Sequence, residues 1–542
     1  MVPVAPFFGN VTWRPHAASM IATRDRAKPI HRNIFTSSRT GALLVALVSS
    51  AALTTAFPKL DIAWIAPFAL AGLFWSWFAS PALAALWIGF LAGFVYFALA
   101  FSWFGVTAAA LVGPFGVMTV AGPALIDAPS FAIAAMLGSL AYKIAPGALG
   151  PLAAAAVFAV AEWCRSVGVM GNPFAQVGVS QVDGPLAALA AFGGSTLVTF
   201  AVAAVGAFVA SAALDRARIR ESALGLGAIV VLASAAYLLW PARTLAAPTI
   251  PVAAVQGNIK QDVKWDKASF EVANGRYIAM TAALESAHPR LVLWPETVIT
   301  DTLGDDDQFS ADDARPKQAL RAQFGRLAER LHATLVVGSL EYSADGLHNA
   351  LFVFSPSGVL DAIYRKRQLV PFAEWVPGSA YFRWFPYLDV LGKEVPGTDP
   401  TVIEDGAGLR VAPLICWESA FSDVVQDQLR RGATLLAIST DDAWFGETAG
   451  PYQHAQIAQM RAIETGRWVL RAAATGISGI VAPDGRWTVR VPLDAQQTVS
   501  GFVGPPLATV FSRIGPWPVV YALAAFYVLA LSIGWRWSAR RT

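Results

Sequence analysis

The sequence predicts a polytopic α-helical membrane domain, then a separate layered α/β domain, then one further apolar helix. Three observations carry that expectation. Of the 542 residues, 55% are apolar and only 14% charged, against about 25% charged in an ordinary soluble domain. The charges avoid one half of the chain: residues 41–240 contain 12, five of them crowded into Asp215, Arg216, Arg218, Arg220 and Glu221. From about residue 249 the pattern changes to short β-prone runs separated by helix-like stretches. Lys plus Arg number 40 and Asp plus Glu 37, for a net charge of +3, which gives no electrostatic case for nucleic acid as a partner. The two cysteines, Cys164 and Cys416, cannot make a disulfide framework.

A helix crossing hydrocarbon needs about 20 residues. Stretches of that order lie near 41–57, 61–79, 82–100, 115–140, 148–165, 187–211 and 223–240, with another near 518–535. The Gly- and Pro-rich segment 101–131 has room for a re-entrant or interfacial piece. Orientation is read from basic residues in short loops. Residues 1–40 form a basic tail with Arg14, Arg24, Arg26, Lys28, Arg32 and Arg39 against the single acid Asp25. Lys143 follows the fourth span, Arg216, Arg218 and Arg220 follow the sixth, and Arg536, Arg540 and Arg541 lie in the basic tail 536–542. Seven spans within 41–240 put all of these on the cytoplasmic side and the 249–505 domain outside. The basic stretch before the first apolar run is too long for a standard signal peptide, so an uncleaved first anchor is expected.

In the polar half, IPVAAVQGN, RLVLWPET, ATLVVGSL, NALFVFSP, LRVAPLICWE and TLLAIST have strand length and composition. VLRAAATGISGIVAP and RWTVRVPL read as hairpin-related strands, while 315–332 and 451–467 have helical spacing with charges assigned to an outer face. Strands alternating with helices make a layered α/β domain. There is no GxGxxG fingerprint, Walker loop, HExxH motif or cysteine cluster, so neither a metal nor a nucleotide cofactor is expected.

Three residues occupy positions where chemistry is usually placed. Glu296 follows LVLWP, Lys366 lies in AIYRKRQLVPFAEW, and Cys416 ends VAPLIC; the carboxyl ends of strands are where α/β domains gather reactive groups. Singly, each has a plain structural reading: a buried small hydrophobe for Cys416, a helix cap for Glu296, a solvated basic run for Lys366. Together they have a chemical use. A thiol must lose its proton to attack an acyl carbonyl, and a carboxylate within reach can take that proton and return it to a leaving group. A lysine can offset the charge on a tetrahedral oxygen and favour thiolate, with the Trp417 amide as a second donor.

The chain also resembles the apolipoprotein N-acyltransferases, membrane enzymes whose extracytoplasmic domain is a nitrilase-like (carbon–nitrogen hydrolase) αββα sandwich. The matching pieces are KWD at 264–266, WPET at 294–297, YRKRQLVPFAEWVPG at 364–378, ICWE at 415–418, DAWFG at 442–446 and GPYQHAQIAQMRAIETGR at 450–467, joined by EWCRS at 162–166 and GNPFAQVGVSQVDGP at 171–185 in the membrane half. The resemblance implies Glu296 as general base and later acid, Lys366 as stabiliser of the intermediate and Cys416 as nucleophile. It adds Glu374 as a supporting carboxylate, Glu418 as a positioning acid and Trp265 as a substrate-binding ring. Three departures stand out. Trp417 replaces the family's usual Tyr, Asp441 replaces an Asn before DAWFG, and RAAATGI at 471–477 lacks the Asn that relatives often place before its glycine.

The implied reaction is a two-step acyl transfer in the bacterial inner membrane, with the catalytic domain periplasmic. The donor implied is a phospholipid, phosphatidylethanolamine by preference, and the acceptor is the α-amine of a diacylglyceryl apolipoprotein cysteine. Two other readings are a membrane-tethered amidase or nitrilase that transfers the acyl group to water, and a non-catalytic scaffold or transporter.

Overall fold

A computed structural model of the chain describes residues 39–265, 267–303, 311–378 and 392–540. Of the two basic tails, residues 1–38 and 541–542 lie outside the described residues. Among the described residues, eight helices precede the α/β half: α1 (Arg39–Thr54), α2 (Ala66–Ala79), α3 (Ala82–Ala100), α4 (Ser102–Val112), α5 (Ala121–Ile144), α6 (Leu149–Cys164), α7 (Ala190–Leu214) and α8 (Ile219–Leu239). Among the described residues, five helical stretches are long and apolar enough to cross a membrane: Ala82–Ala100, Pro114–Ile144, Ala187–Leu214, Arg216–Leu239 and Trp517–Ala539. Arg39–Thr54, Ala63–Ala79 and Leu149–Cys164 are shorter apolar helices. Within the Gly- and Pro-rich segment, α4 is followed by a tight 3-10 run, Pro114–Val120, before α5 begins. Aromatic side chains fill the bundle centre, where Phe74, Trp77, Phe131 and Phe158 meet edge to face at ring centroid separations of 5.1–6.4 Å, a favoured geometry for aromatic pairs.

The second half begins with β1 (Ile250–Gln256), α9 (Gln261–Lys264), α10 (Lys267–Ala282), β2 (Leu291–Leu293), β3 (Ile299–Thr302), α11 (Ala311–Leu331), β4 (Thr334–Ser343), β5 (Gly346–Phe354) and β6 (Leu360–Arg365). It continues with β7 (Ile403–Glu404), β8 (Arg410–Ile415), α12 (Ser422–Arg430), β9 (Leu435–Thr440), α13 (Gly450–Thr465), β10 (Trp468–Ala473), β11 (Ser478–Val481), β12 (Trp487–Val491) and β13 (Gln497–Val503). One sheet has the order β13-β1-β2-β4-β5-β6, with β3 also pairing β4; the other runs β12-β11-β10-β9-β8-β7. The central pairs β1–β2, β2–β4, β8–β9 and β9–β10 are parallel, and antiparallel strands extend both sheets. The alternation of side chains along a strand sorts residues into layers. Val252 and Ala254, with Leu291 and Leu293, face the second sheet and pack with its Ile415 and Leu470. Their neighbours Ala253 and Val255 pack with Tyr277 of α10 and with Phe324 and Leu327 of α11. The result is the four-layer αββα sandwich that the resemblance implies.

The outer helix layer of the second sheet is shared with the membrane half. Leu436, Ile438 and Val469 of that sheet, Ile457 and Met460 of α13, and Val198 and Val202 of α7 belong to one continuous buried cluster. This corrects the outer, charged face expected for 451–467: every residue of α13 except Tyr452 is buried. The face that water would cover in a soluble domain is covered here by the helical bundle. Its charges are therefore matched internally, with Arg461 Nη1 3.0 Å from Glu464 Oε2. Glu464 Oε1 also accepts the Ser195 amide at 2.6 Å, just after α7 breaks at Gly193–Gly194. Gly194 has φ +70, which residues with a Cβ rarely adopt. After β13 the chain forms α14 (Val510–Ile514) and the apolar α15 (Trp517–Ala539), which packs on α6 through Trp163 and Trp517, ring centroids 4.4 Å apart.

Candidate active site

Glu296 lies three residues past β2, Lys366 directly after β6, and Cys416 directly after β8. β2 and β6 belong to one sheet and β8 to the other, so these strand ends converge only because the sheets stack face to face. Lys366 Nζ is 2.9 Å from Glu296 Oε1 and 2.5 Å from Glu374 Oε1. Asn349 Nδ2 donates to Glu296 Oε1 at 2.7 Å, and the Asp441 amide donates to Glu296 Oε2 at 2.8 Å. Both oxygens of Glu296 are thus held. Cys416 is 8% exposed and has φ +49, a left-handed conformation uncommon for a residue with a Cβ. Ser419 Oγ donates to its carbonyl at 2.8 Å, and a short 3-10 turn, Cys416–Ala420, starts at this cysteine. The opening amides of such a turn have no partner within it, which leaves the Trp417 N–H available to an oxyanion.

The charges are unequal. Burial alone would raise Glu296, but Lys366, the Asp441 amide and Lys264 outweigh it and hold that carboxyl below its ordinary value. Burial would lower Lys366, yet Glu296 and Glu374 keep it well above the ordinary lysine range. Burial and then the Glu296 charge push the Cys416 thiol well up, against Lys366. The sequence-based expectation that lysine favours thiolate therefore holds for the lysine's own influence but not for the net result. At rest the site holds a carboxylate, an ammonium and a protonated thiol.

The other expected residues take distinct places. Glu374 joins the lysine, and its Oε2 accepts the Val370 amide at 2.9 Å. Glu418 ties two strand ends together: it accepts the Ile415 amide at 2.7 Å, the Arg367 amide at 2.6 Å and the Tyr364 hydroxyl at 3.0 Å. These contacts fix the residues flanking Lys366 and Cys416. Trp417 stacks on Phe174 at 5.1 Å with a 14° interplanar angle, so its ring serves in packing where a phenol would have offered a hydroxyl. Trp265 is half exposed, its ring 5.6 Å from Lys264 Nζ, and it touches none of Glu296, Lys366 or Cys416 through a hydrogen bond or ring contact among the described residues.

The membrane half reaches this site through Phe174. Arg165 donates to the carbonyls of Asn172, Phe174 and Ala175 at 2.6, 3.1 and 3.1 Å and pairs with Glu162 at 2.8 Å. That network explains why EWCRS and GNPFA occur together. Replacing Phe174 with Ala should remove a stack worth about 0.5–1.5 kcal/mol and lower kcat/KM by roughly 2- to 12-fold. An unchanged kcat/KM would show that the stack does not support the Cys416 turn.

Several participants were not singled out from the sequence. Asn349 lies in the middle of β5, where an Asn pointing into a sheet interface is the available signal. Asp441, already noted in the sequence as a departure, forms a buried ion pair with Lys264. Asp442 receives Arg471 Nη2 at 2.6 Å and His454 Nδ1 lies 2.9 Å away, while His454 Nε2 approaches Ser419 Oγ at 2.9 Å and the Cys416 carbonyl at 3.2 Å. Burial would raise Asp442, but Arg471 and His454 bring it down to about 2. In RAAATGI, a Cβ on Gly476 would lie 2.1 Å from Asp442 Oδ2, so this glycine makes room for the carboxylate.

Glu394 was also missed. Burial, then the charge of Glu374, push it up to about 8, and its Oε2 has no partner among the described residues. The folded chain keeps this proton to about pH 8 while the unfolded chain releases it near 4.5. The native state therefore binds more protons in that window, and stability falls as pH rises through it. Glu394→Gln should flatten that decline in thermal melts between pH 5 and 8, and should remove an activity loss above pH 8 caused by a further negative charge near Lys366. Parallel melting and pH–rate curves for variant and parent would contradict both expectations.

No group of three or more His, Cys, Asp or Glu suited to a metal ion occurs among the described residues, and both cysteines are free thiols. The fold and these groups define a carbon–nitrogen hydrolase domain built onto an apolar helical bundle. Residues 251–504 match the carbon–nitrogen hydrolase family model, and residues 49–208 match that of the apolipoprotein N-acyltransferase N-terminal domain. The chain is 33% identical over 517 residues to the apolipoprotein N-acyltransferase of Azotobacter vinelandii, covering 92% of this chain and 95% of that one. It is 33% identical over 493 residues to the enzyme of the same name from Methylococcus capsulatus, covering 88% and 94%. Among solved structures, an amidase from Nesterenkonia sp. aligns at 18% identity with a TM-score of 0.37, covering 51% of this chain and 97% of that one. The chain belongs to the apolipoprotein N-acyltransferase family. It is thus an acyltransferase and a multi-pass bacterial membrane protein.

Proposed function

We propose that this enzyme moves a fatty acyl group from a membrane phospholipid, phosphatidylethanolamine by preference, through a thioester on Cys416 to the α-amine of a diacylglyceryl apolipoprotein cysteine. The observation that carries the reading is the ionised, doubly anchored Glu296 beside Lys366 with a protonated thiol in their field. Cys416 Sγ attacks the sn-1 ester carbonyl as its proton passes to Glu296, so no free thiolate need accumulate in the low-dielectric site. Lys366 and the Trp417 amide receive the oxyanion. Collapse expels the lysophospholipid alkoxide, which takes the proton back from Glu296. The acceptor amine then attacks the thioester carbonyl, Glu296 removes one amine proton, and the sulfur leaves and recovers it. Glu374 and Glu418 keep the lysine and the nucleophile turn in place, and Trp265 offers a ring for substrate. A covalent intermediate lets two bulky lipids react in turn without sharing one cavity.

The proposed orientation puts this domain on the periplasmic side of the inner membrane. Lys143, Arg216, Arg218, Arg220 and Arg536 collect at the other end of the bundle: the Arg218 guanidinium lies 4.4 Å from the Tyr142 ring, and Gly534 packs on Ile144 and Ala145. A cytoplasmic basic end leaves the αββα sandwich outside. Mass spectrometry of the purified protein treated with acyl-labelled phospholipid is expected to find one acyl group on Cys416, lost on addition of a diacylglyceryl peptide as the N-acyl peptide forms. Acyl on another residue, or free fatty acid without peptide product, would overturn the scheme, and the second outcome would favour a hydrolase.

A further inference from the structure

The peptide unit joining Cys416 to Trp417 has two working ends. Its N–H is the amide offered to the oxyanion, and its carbonyl is gripped by side chains. In a trans peptide these two groups point in opposite directions, so whatever holds the carbonyl also aims the N–H. Ser419 Oγ lies 2.8 Å from the Cys416 carbonyl oxygen, and His454 Nε2 lies 3.2 Å from that oxygen and 2.9 Å from Ser419 Oγ. Both side chains are fully buried. The grip matters because Cys416 has φ +49, a conformation that persists only where its surroundings enforce it.

His454 is itself fixed from behind. Its Nδ1 lies 2.9 Å from Asp442 Oδ1, which also accepts the Thr440 hydroxyl at 2.9 Å. Arg471 Nη2 donates to Asp442 Oδ2 at 2.6 Å, and Arg471 Nε donates to the Ile477 carbonyl at 2.9 Å. An ionised Asp442 only accepts, so the imidazole hydrogen sits on Nδ1. Burial and then Arg471 hold His454 below its ordinary value. The ring is therefore neutral, with Nε2 an acceptor facing Ser419. Phe174 of the membrane half and Phe445 pack on the imidazole, ring centroids 5.6 and 6.2 Å away.

Ser419 thus has one hydroxyl hydrogen and two acceptors in reach. When the Trp417 N–H donates to a tetrahedral oxygen, the shared amide resonance places more negative charge on the Cys416 carbonyl oxygen. That oxygen then draws the Ser419 hydrogen more strongly, since hydrogen bonds in a chain reinforce one another. The contact tightens as the oxyanion forms, and only interactions stronger in the transition state speed the step.

We propose that Ser419 and His454 are positioning residues for acylation: they hold the carbonyl end of the Cys416–Trp417 peptide so that its N–H meets the oxyanion. This rests on the reading that Cys416 is the acylated thiol. Neither side chain touches the reacting atoms; Asp442 and Arg471 keep the imidazole in the orientation that serves Ser419.

The test compares two reactions of one thiol in the full chain in detergent. p-Nitrophenyl butyrate acylates through a tetrahedral oxyanion, read as a nitrophenolate burst with a butyryl increment on Cys416. Iodoacetamide alkylates by direct displacement, with no oxyanion, and is read on the peptide containing Cys416. Ser419→Ala should slow acylation by about tenfold or more while alkylation stays within about twofold. Two variants of His454 separate this role from support of Asp442. His454→Gln keeps a polar group at the Nε2 position and should acylate within about fivefold of the parent, whereas His454→Asn keeps one only at the Nδ1 position and should lose about as much as Ser419→Ala. Acylation unchanged in Ser419→Ala, acylation and alkylation falling by one common factor, or the Asn variant outperforming the Gln variant would each overturn the assignment. A parent that takes no acyl group on Cys416 would overturn the thioester reading and this assignment together, so the two failures are told apart by the parent alone.

Discussion

Cys416→Ala is expected to abolish acyl transfer, lowering the single-turnover rate by about 10⁴-fold or more, while leaving the protein folded. The asymmetry follows from the resting state. The thiol is neutral, held so by burial and Glu296, and its removal deletes one small atom from a sandwich of large apolar side chains. That change costs on the order of 1 kcal/mol. The Glu296–Lys366–Glu374 cluster remains paired, so melting temperature should stay within a few degrees of the parent. No acyl mark should appear after incubation with phospholipid. A variant within tenfold of the parent rate would sink the assignment of Cys416, because no bound oxyanion donor compensates for a missing covalent bond.

Lys366→Met should do the opposite to stability and nearly the same to rate. Lys366 is wholly buried and pairs with two carboxylates. Removing one partner of a buried ion pair leaves uncompensated charge, typically at a cost of about 3–5 kcal/mol. The carboxylates respond by taking up protons. Without the lysine, the influences that held Glu296 below its ordinary value are largely gone while burial persists, so its pKa rises. A protonated Glu296 cannot accept the thiol proton, and the residual rate should climb with pH as the carboxyl ionises. Stability should move the other way: the variant's native state binds protons that its unfolded state releases, so stability falls as pH increases. Thermal melts and single-turnover rates at pH 5.5, 7 and 8.5 check both signs. Unchanged melting with a flat rate profile would mean that Lys366 is neither the partner of Glu296 nor the support of its charge.

How much was legible beforehand depends on the physical range of each signal. The apolar helices were visible because a bilayer imposes a long, nearly charge-free run, a constraint met within one segment. Most central strands, such as Ile250–Gln256 and Leu435–Thr440, were visible because burial on both faces makes a continuous apolar run. The strands that went unrecognised, Ile299–Thr302, Leu360–Arg365, Ile403–Glu404 and Gln497–Val503, are mixed in polarity. Each is set by the neighbour it pairs with.

The sequence by itself determined the division into apolar and α/β halves, and it marked Glu296, Lys366 and Cys416 through the motifs around them. Only the tertiary structure decided that Glu296 and Lys366 form one ion pair, that the thiol beside them rests protonated, that Glu394 and Asn349 join them, and that α13 has no wet face. Distances between strand ends on different sheets, and the dielectric that sets each charge, are properties of packing. Those quantities come from residues far apart in the chain, and no local pattern carries them.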